Sequence, residues 1–230
     1  MSTRTYISRL TNLLPSGTHR WIELYGRLDL GAQISLWVVV AIVVMAITAP
    51  VLAPYDPAHQ AYADSLSGPS VDHPLGTDLT GRDILSRLIF GARASLMVGL
   101  VAVGIAIAVG IPLGSFAGYV GGWTDEVIMR TMDTIMSIPA LVLGLAIVGT
   151  LGASLVNVIA VVAIVYSPQY ARLIRGSVLS EKEEEYVTAA ENTGLRDSSI
   201  LVKQILPNAI TPVLVQATYH VATAIILEAS

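Results

Sequence analysis

Cysteine is absent from this sequence of 230 residues, and charged residues are scarce, at 13% of the chain. The absence of cysteine excludes disulfides, thiolate metal sites and cysteine nucleophiles. Soluble domains carry about 25% charged residues. A content of 13%, together with 53% hydrophobic residues and a mean hydropathy of +0.67, therefore predicts an integral membrane protein. The net charge of −4 argues against nucleic acid as a partner.

The sequence also lacks the common motifs of nucleotide, metal and nucleophile sites. Neither of its two lysines belongs to a Gly-x4-Gly-Lys-[Ser/Thr] loop, so the chain cannot hold ATP phosphates by that device. No Gly-x-Ser-x-Gly elbow and no His-Glu-x-x-His pair is present. Asp56 with His59, or Asp72 with His73, is better interpreted as loop polarity than as a metal pair, because a site needs more convergent ligands. We therefore predict a chain that is not an enzyme and binds no cofactor or metal of its own.

Long apolar runs predict an all-α protein with about five transmembrane helices. Residues 134–171 carry no charge and would form a helix of roughly 57 Å at about 1.5 Å per residue, whereas a bilayer core is about 30 Å thick. This run is therefore divided near residue 152. The predicted spans are residues 34–53, 94–120, 134–151, 154–171 and 209–229.

The basic residues predict the orientation of these spans. Ten of the thirteen Lys and Arg residues lie in the segments 1–33, 121–133 and 172–208. The positive-inside rule places these segments in the cytoplasm, so residues 1–33 form a cytoplasmic tail and residues 54–93 an extracytoplasmic loop. Residues 79–93 are amphipathic and are predicted to form a helix at the membrane interface. Residues 94–230 form the core, with the cytoplasmic loop at 172–208.

The predicted second span carries Gly110, Gly114 and Gly118 at four-residue spacing along one side. Small residues at that spacing let helix backbones approach closely in lipid, although a mobile pore-lining helix is an equal alternative. His220 lies within the last span and either faces a pore or bonds to a neighbouring helix. Intramembrane carboxylates are almost absent from the predicted spans, which weakens the case for a proton-coupled carrier.

A polar segment separates two apolar runs near the end of the chain. It predicts a short surface helix at residues 181–192, ended by Gly194, and a connecting stretch at 195–206 before Pro207 begins the next run. The paired alanines Ala189 and Ala190 leave a flat surface suited to docking into a groove of another protein. A solvated acidic helix is the alternative.

The same segment carries a family resemblance. Glu-Tyr-Val-Thr-Ala-Ala-Glu-Asn-Thr-Gly at 185–194, with Ile-Leu-Pro-Asn at 205–208, resembles the "EAA" loop of ABC-importer permeases, in the form found in dipeptide, oligopeptide and nickel permeases. Three further segments are similar to that family, at residues 73–93, 118–125 and 136–139. Thr188 departs from the family, since the broad consensus has there the Glu that names the loop.

The resemblance implies a type I ABC importer permease bundle in the cell membrane, and within it the second, C-type subunit of a system for small peptides, nickel or a related solute. It also implies four kinds of partner: the lipid bilayer, a homologous permease, two ATPases that bind ATP-Mg, and an extracytoplasmic binding protein. The family has six spans, so the chain is expected to be truncated at its C-terminus. A non-functional or partner-occupying remnant is one alternative, and an ATP-independent carrier is another.

The resemblance further implies that the 181–194 helix sits in a groove of an ATPase and couples ATP use to transport. A bulky charge at Ala190 is expected to reduce both transport and coupling. The residues expected at or beside this contact are Glu185, Tyr186, Ala189, Ala190, Gly194 and Pro207.

Overall fold

A computed structural model describes residues 29–228, which fall into two compact units, 29–93 and 94–228. Within this range the regular structure is helical except for one isolated bridge between Thr77 and Asp83. A 3-10 turn at Tyr62–Asp64 and a π-helical segment at Leu201–Ile205 accompany the α-helices. The α-helices are α1 (Leu30–Leu52), α2 (Ile84–Val120), α3 (Gly122–Met136), α4 (Ala140–Leu151), α5 (Leu155–Lys182), α6 (Glu185–Asn192), α7 (Asp197–Ile200), α8 (Leu206–Ala209) and α9 (Thr211–Glu228).

Three of these helices, α1, α2 and α5, are long and apolar enough to cross a membrane. Two bent pairs pass the same test: α3 with α4, bent by 77°, and residues 197–209 with α9, bent by 56°. The described part of the chain therefore holds three spans, or up to five if each bent pair counts as one. This confirms an all-helical, multi-span fold.

The first span begins earlier than the sequence predicted. The predicted border lies between residues 33 and 34, whereas α1 starts at Leu30, because the carboxylate of Asp29 accepts a hydrogen bond of 3.2 Å from the Ala32 N–H and caps the helix. It ends at Leu52, just before Pro54. Residues 1–28 of the predicted cytoplasmic tail lie outside the described residues.

The predicted interfacial helix at 79–93 is wrong as a separate element. Asp83 accepts the Ser86 N–H at 2.7 Å, and α2 then runs from Ile84 to Val120 without a break. No helix-breaking residue separates Arg93 from Ala94, so nothing in the local sequence ends one helix and starts another. Residues 79–83 belong to the turn that precedes α2.

Two further predicted spans have helix boundaries that differ from the predicted ones. The span predicted at 134–151 is divided, because Pro139 restricts the residue before it: α3 ends at Met136 and α4 begins at Ala140. The helix that contains the span predicted at 154–171 is α5, which continues to Lys182. Ile174 and Val178 are fully buried there, so the apolar stripe extends beyond the arginines that suggested an end.

The core of the second unit lies where α2 meets α5. A Cβ built on Gly110 would lie 2.7 Å from the carbonyl oxygen of Ser167, and one built on Gly118 would lie 3.0 Å from that of Arg175. At Gly114 a Cβ would come closer still to the backbone of α5. We call these three glycines the glycine seam. Within it the two backbones approach so closely that no side chain fits between them.

In the first unit, a buried carboxylate organises the turn before α2. The side chain of Asp83 is 1% exposed and bonds to the Nδ1 of His73 at 3.0 Å. It also accepts the Ser86 hydroxyl at 2.7 Å, and that hydroxyl in turn accepts the Tyr55 N–H at 3.1 Å. Nearby, Asp78 accepts hydrogen bonds from its neighbours Thr80 and Arg82. The loop predicted only as polar is thus tied together by two carboxylates.

The order of this loop is expected to depend on pH. Burial alone would raise the pKa of the Asp83 carboxyl, but hydrogen bonds from Ser86 and His73 and the charge of His73 hold that pKa below its usual value. A lowered pKa contributes stability that is fully present above the unfolded pKa of about 3.9 and is lost as the pH falls through the folded pKa. Amide exchange across residues 64–83, corrected for intrinsic rates, should therefore accelerate only below about pH 4.

The matched variant for this prediction is Asp83→Asn, which removes the titrating group. It should show faster exchange at neutral pH and a much smaller change between pH 6 and pH 3. Exchange that is unaffected by pH in the unsubstituted protein would contradict the assigned role of Asp83.

Candidate functional site

The predicted surface helix at 181–192 is divided in two. Residues 181 and 182 form the last turn of α5, Glu184 is extended, and α6 begins at Glu185. Three consecutive glutamates explain the break, because negative charge disfavours the C-terminus of one helix and favours the N-terminus of the next. The helix proposed for docking is therefore only the eight residues Glu185–Asn192.

Gly194 shapes the end of α6. Its φ is +75°, a left-handed conformation that glycine adopts without strain. The Gly194 N–H donates to the Glu191 carbonyl at 2.9 Å, and the Leu195 N–H donates to the Ala190 carbonyl at 3.4 Å. These two bonds form a Schellman motif, which ends the helix and turns the chain towards α7.

The two faces of α6 have different surroundings. Val187 is 1% exposed, and the half-buried Tyr186 and Ala190 pack against the same core. The exposed residues at i, i+3, i+4 and i+7 form what we call the outer face of α6; they are Glu185, Thr188, Ala189 and Asn192. The two predicted alanines therefore differ, since Ala189 lies on the outer face and Ala190 largely faces the protein's own core.

The connecting stretch predicted at 195–206 is helical from Asp197 onward. It comprises α7, the π-helical segment and the start of α8. Pro207 explains why the π-helical segment precedes it. Proline has no N–H, and its ring would clash with the Lys203 carbonyl in a regular α-helix. The Leu206 N–H donates to the Leu201 carbonyl, the i to i−5 bond of a π turn. Pro207 itself is exposed.

Ion pairs join α3 to α5, and these pairings were not predicted from the sequence. Arg175 contacts Asp125 through two hydrogen bonds of 2.5 Å, from Nε and from Nη2. Arg172 contacts Asp133 at 2.5 Å. Each pair spans 39 residues or more of sequence, so the pairing cannot be inferred from local spacing.

His220 is buried at 2% exposure. Its ring stacks on Tyr166 of α5, with the centroids 4.2 Å apart, and meets Tyr170 edge-on at 5.1 Å. Its Nε2 lies 3.0 Å from the amide nitrogen of Gln216. The structure therefore favours the buried alternative for this histidine. Among the described residues no group of three or more His, Asp or Glu side chains could hold a metal ion.

The fold and this loop define a multi-spanning helical membrane protein that presents a short helix on its surface. The chain belongs to the family described as "binding-protein-dependent transport system inner membrane component", whose model matches residues 110–230. A second model, the N-terminal TM domain of oligopeptide transport permease C, matches residues 30–69.

Relatives with curated names agree with these models. The chain is 41% identical to a dipeptide transport system permease protein of Alkalihalophilus pseudofirmus, over 91% of this chain and 69% of that protein. It is 40% identical to a glutathione transport system permease protein of Escherichia coli O157:H7, over 92% of this chain and 70% of that protein. The resemblance found in the sequence motifs is thus confirmed: this is an inner-membrane ABC-transporter permease of the dipeptide and oligopeptide branch.

Proposed function

We propose that this chain is a transmembrane permease subunit of an ATP-driven importer of small peptides, coupled to a separate ATPase through α6. The named relatives support the substrate class, because they are permeases for dipeptides, glutathione and, in Pseudomonas aeruginosa, di- and tripeptides. The last of these is 42% identical over 85% of this chain and 67% of that protein. All these solutes are short peptides.

The proposal includes the partners and the orientation. The family name refers to a binding protein, and the proposal adds a homologous second permease that completes the transport path. Two cytoplasmic ATPases bind and hydrolyse ATP-Mg, since this sequence has no phosphate-binding loop. The N-terminus, the short segment 121–133 and the loop 172–208 lie in the cytoplasm, following the distribution of Lys and Arg.

The observation that carries the coupling role is the outer face of α6. Ala189 and Thr188 are small and exposed, and this face is held from behind by the buried Val187. Such a helix presents small side chains outward and is packed against the protein on its inner side. It can therefore bind in a groove of a partner without a change in its own conformation. Glu185, at the first turn, places a carboxylate at the edge of this face.

Ala189→Arg tests the docking site. A long side chain on the outer face should prevent close seating, and we expect ATPase binding to weaken about tenfold, since atoms added to a closely packed contact cost about 1–3 kcal/mol. The measurement is co-purification of the ATPases with the paired permeases, together with binding-protein-stimulated ATP hydrolysis.

Ala63→Arg is the matched control, because Ala63 is also an exposed alanine on a short helical turn but lies in the segment proposed to be extracytoplasmic. It should leave ATPase binding unchanged. Normal docking and hydrolysis in a stably inserted Ala189→Arg protein would disprove the docking role of α6. Substitution at Ala190 is less specific, because that side chain also packs against the core.

A further inference from the structure

The phenol of Tyr186 lies on the inner side of α6, between two other helices. Its hydroxyl donates to Oε2 of Glu181, in the last turn of α5, at 2.6 Å. The hydroxyl oxygen of Tyr186 also accepts a hydrogen bond of 3.2 Å from Nδ2 of Asn208, in α8. A phenolic hydroxyl can donate once and accept at the same time, so a single atom joins three helices.

The surroundings keep this phenol in the form that can donate. Burial raises the pKa of Tyr186, and the hydrogen bond to the Glu181 carboxylate raises it further. The hydroxyl is therefore protonated at physiological pH. The bond to Glu181 is charge-assisted, and bonds of this type are roughly twice as strong as neutral ones.

Asn208 and the helix end that carries Glu181 each make a further contact with another helical segment. Asn208 also donates from Nδ2 to the Gln204 carbonyl at 3.1 Å, which lies in the π-helical segment. Beside Glu181, the ammonium of Lys182 donates to the Tyr119 carbonyl at 2.8 Å, at the C-terminal end of α2. The end of α5 is thus held to α2, and α8 leads through Ile210 into α9.

We propose that Tyr186 is a positioning residue for energy coupling: its hydroxyl makes α6 move together with α5 and α8, so that displacement of the docking helix reaches the membrane spans. The proposal rests on the docking role of α6. It assigns to Tyr186 an inward-facing task that differs from contact with the ATPase. Without the hydroxyl, α6 would still dock but would transmit its displacement less completely.

The test uses the complete importer, with both permeases, ATPases and binding protein, in lipid vesicles. Tyr186→Phe removes one oxygen and keeps the ring that packs on the core. We expect the amount of peptide transported per ATP hydrolysed to fall about three- to tenfold, as the loss of one charge-assisted hydrogen bond allows. Co-purification of the ATPases from the same sample measures docking separately. Tyr62→Phe is the matched control, since among the described residues the Tyr62 hydroxyl bonds to Gln60, two residues away. This control should leave transport per ATP unchanged.

Conservative variants separate positioning from folding. Glu181→Gln keeps an acceptor for the phenol and should retain most of the coupling, whereas Glu181→Leu should reduce it as Tyr186→Phe does. Combining Tyr186→Phe with Glu181→Leu should give no further loss, because both remove the same bond.

Two results would overturn the proposal. Wild-type transport per ATP in Tyr186→Phe would show that the hydroxyl transmits nothing, even with docking through Ala189 intact. Loss of ATPase binding in Tyr186→Phe would show that the phenol merely holds α6 in shape. The proposed docking fails separately, on the Ala189→Arg result, so the two failures are distinguishable.

Discussion

Replacing Gly114 with leucine is expected to destabilise the second unit strongly. A Cβ at this position would run into the carbonyl group of Ala171 and the side chain of Ile174. Backbone atoms cannot rotate away as a flexible side chain can, so α2 and α5 would have to separate. Inserting atoms into a packed core costs about 1–3 kcal/mol even where side chains can adjust, and total stabilities are about 5–15 kcal/mol.

The measurement is the yield of monodisperse protein in detergent and the temperature of its unfolding. Gly104→Leu is the matched control: it lies on the same helix, is exposed and has no atom within 4 Å of the added Cβ. Within the seam, alanine substitutions should rank Gly114 as most damaging, then Gly110, then Gly118, following the space around each Cβ. A Gly114→Leu protein that unfolds at the wild-type temperature would refute the close approach of α2 to α5.

Arg175→Ala is the second change with a large expected effect. It leaves the carboxylate of Asp125, which is only 17% exposed, without its bidentate partner. Removing one member of a fully buried pair costs about 3–5 kcal/mol. Partial exposure reduces this to about 2 kcal/mol, or about a 30-fold decrease in the folding equilibrium. We expect α3 to lose its attachment to α5, with faster amide exchange along residues 122–136.

The neighbouring pair provides the control. Arg130 and Glu126 also form an ion pair at 2.7 Å, but both side chains are largely exposed and lie one turn apart on α3. Arg130→Ala should cost only about 0.3–0.5 kcal/mol. The exchanged pair, Asp125→Arg with Arg175→Asp, should recover part of the loss. Equal effects of Arg175→Ala and Arg130→Ala would argue against a structural role for the α3–α5 bridge.

The sequence predicted the membrane class and the five apolar runs because apolar length is a local property. Five apolar runs were recognised from composition, and each has a helix or a bent helix pair in the structure. Arginines in the run after residue 171 suggested that the span ended there. Their charges are satisfied by Asp125 and Asp133 from α3, a pairing that no local pattern reveals.

The loop was predicted in part for a similar reason. Its position and its terminal Gly194 could be read from the order of polar and apolar residues. The break at Glu184 depends on how two helix ends respond to three successive carboxylates. The contrast between Ala189 and Ala190 depends on which side of α6 meets the core. The spacing of Tyr186, Val187 and Ala190 holds that information, once α6 is known to start at Glu185.

The glycine seam has a consequence for biogenesis. Gly114 emerges from the ribosome well before Ala171, its backbone neighbour, and at about 5–20 residues per second the interval is several seconds. During that time α3 and α4 are being made, and the glycine seam of α2 cannot yet pack against α5. The newly inserted helix must therefore wait beside lipid or an insertase, and this interval is when the nascent chain is most open to wrong pairing and to degradation.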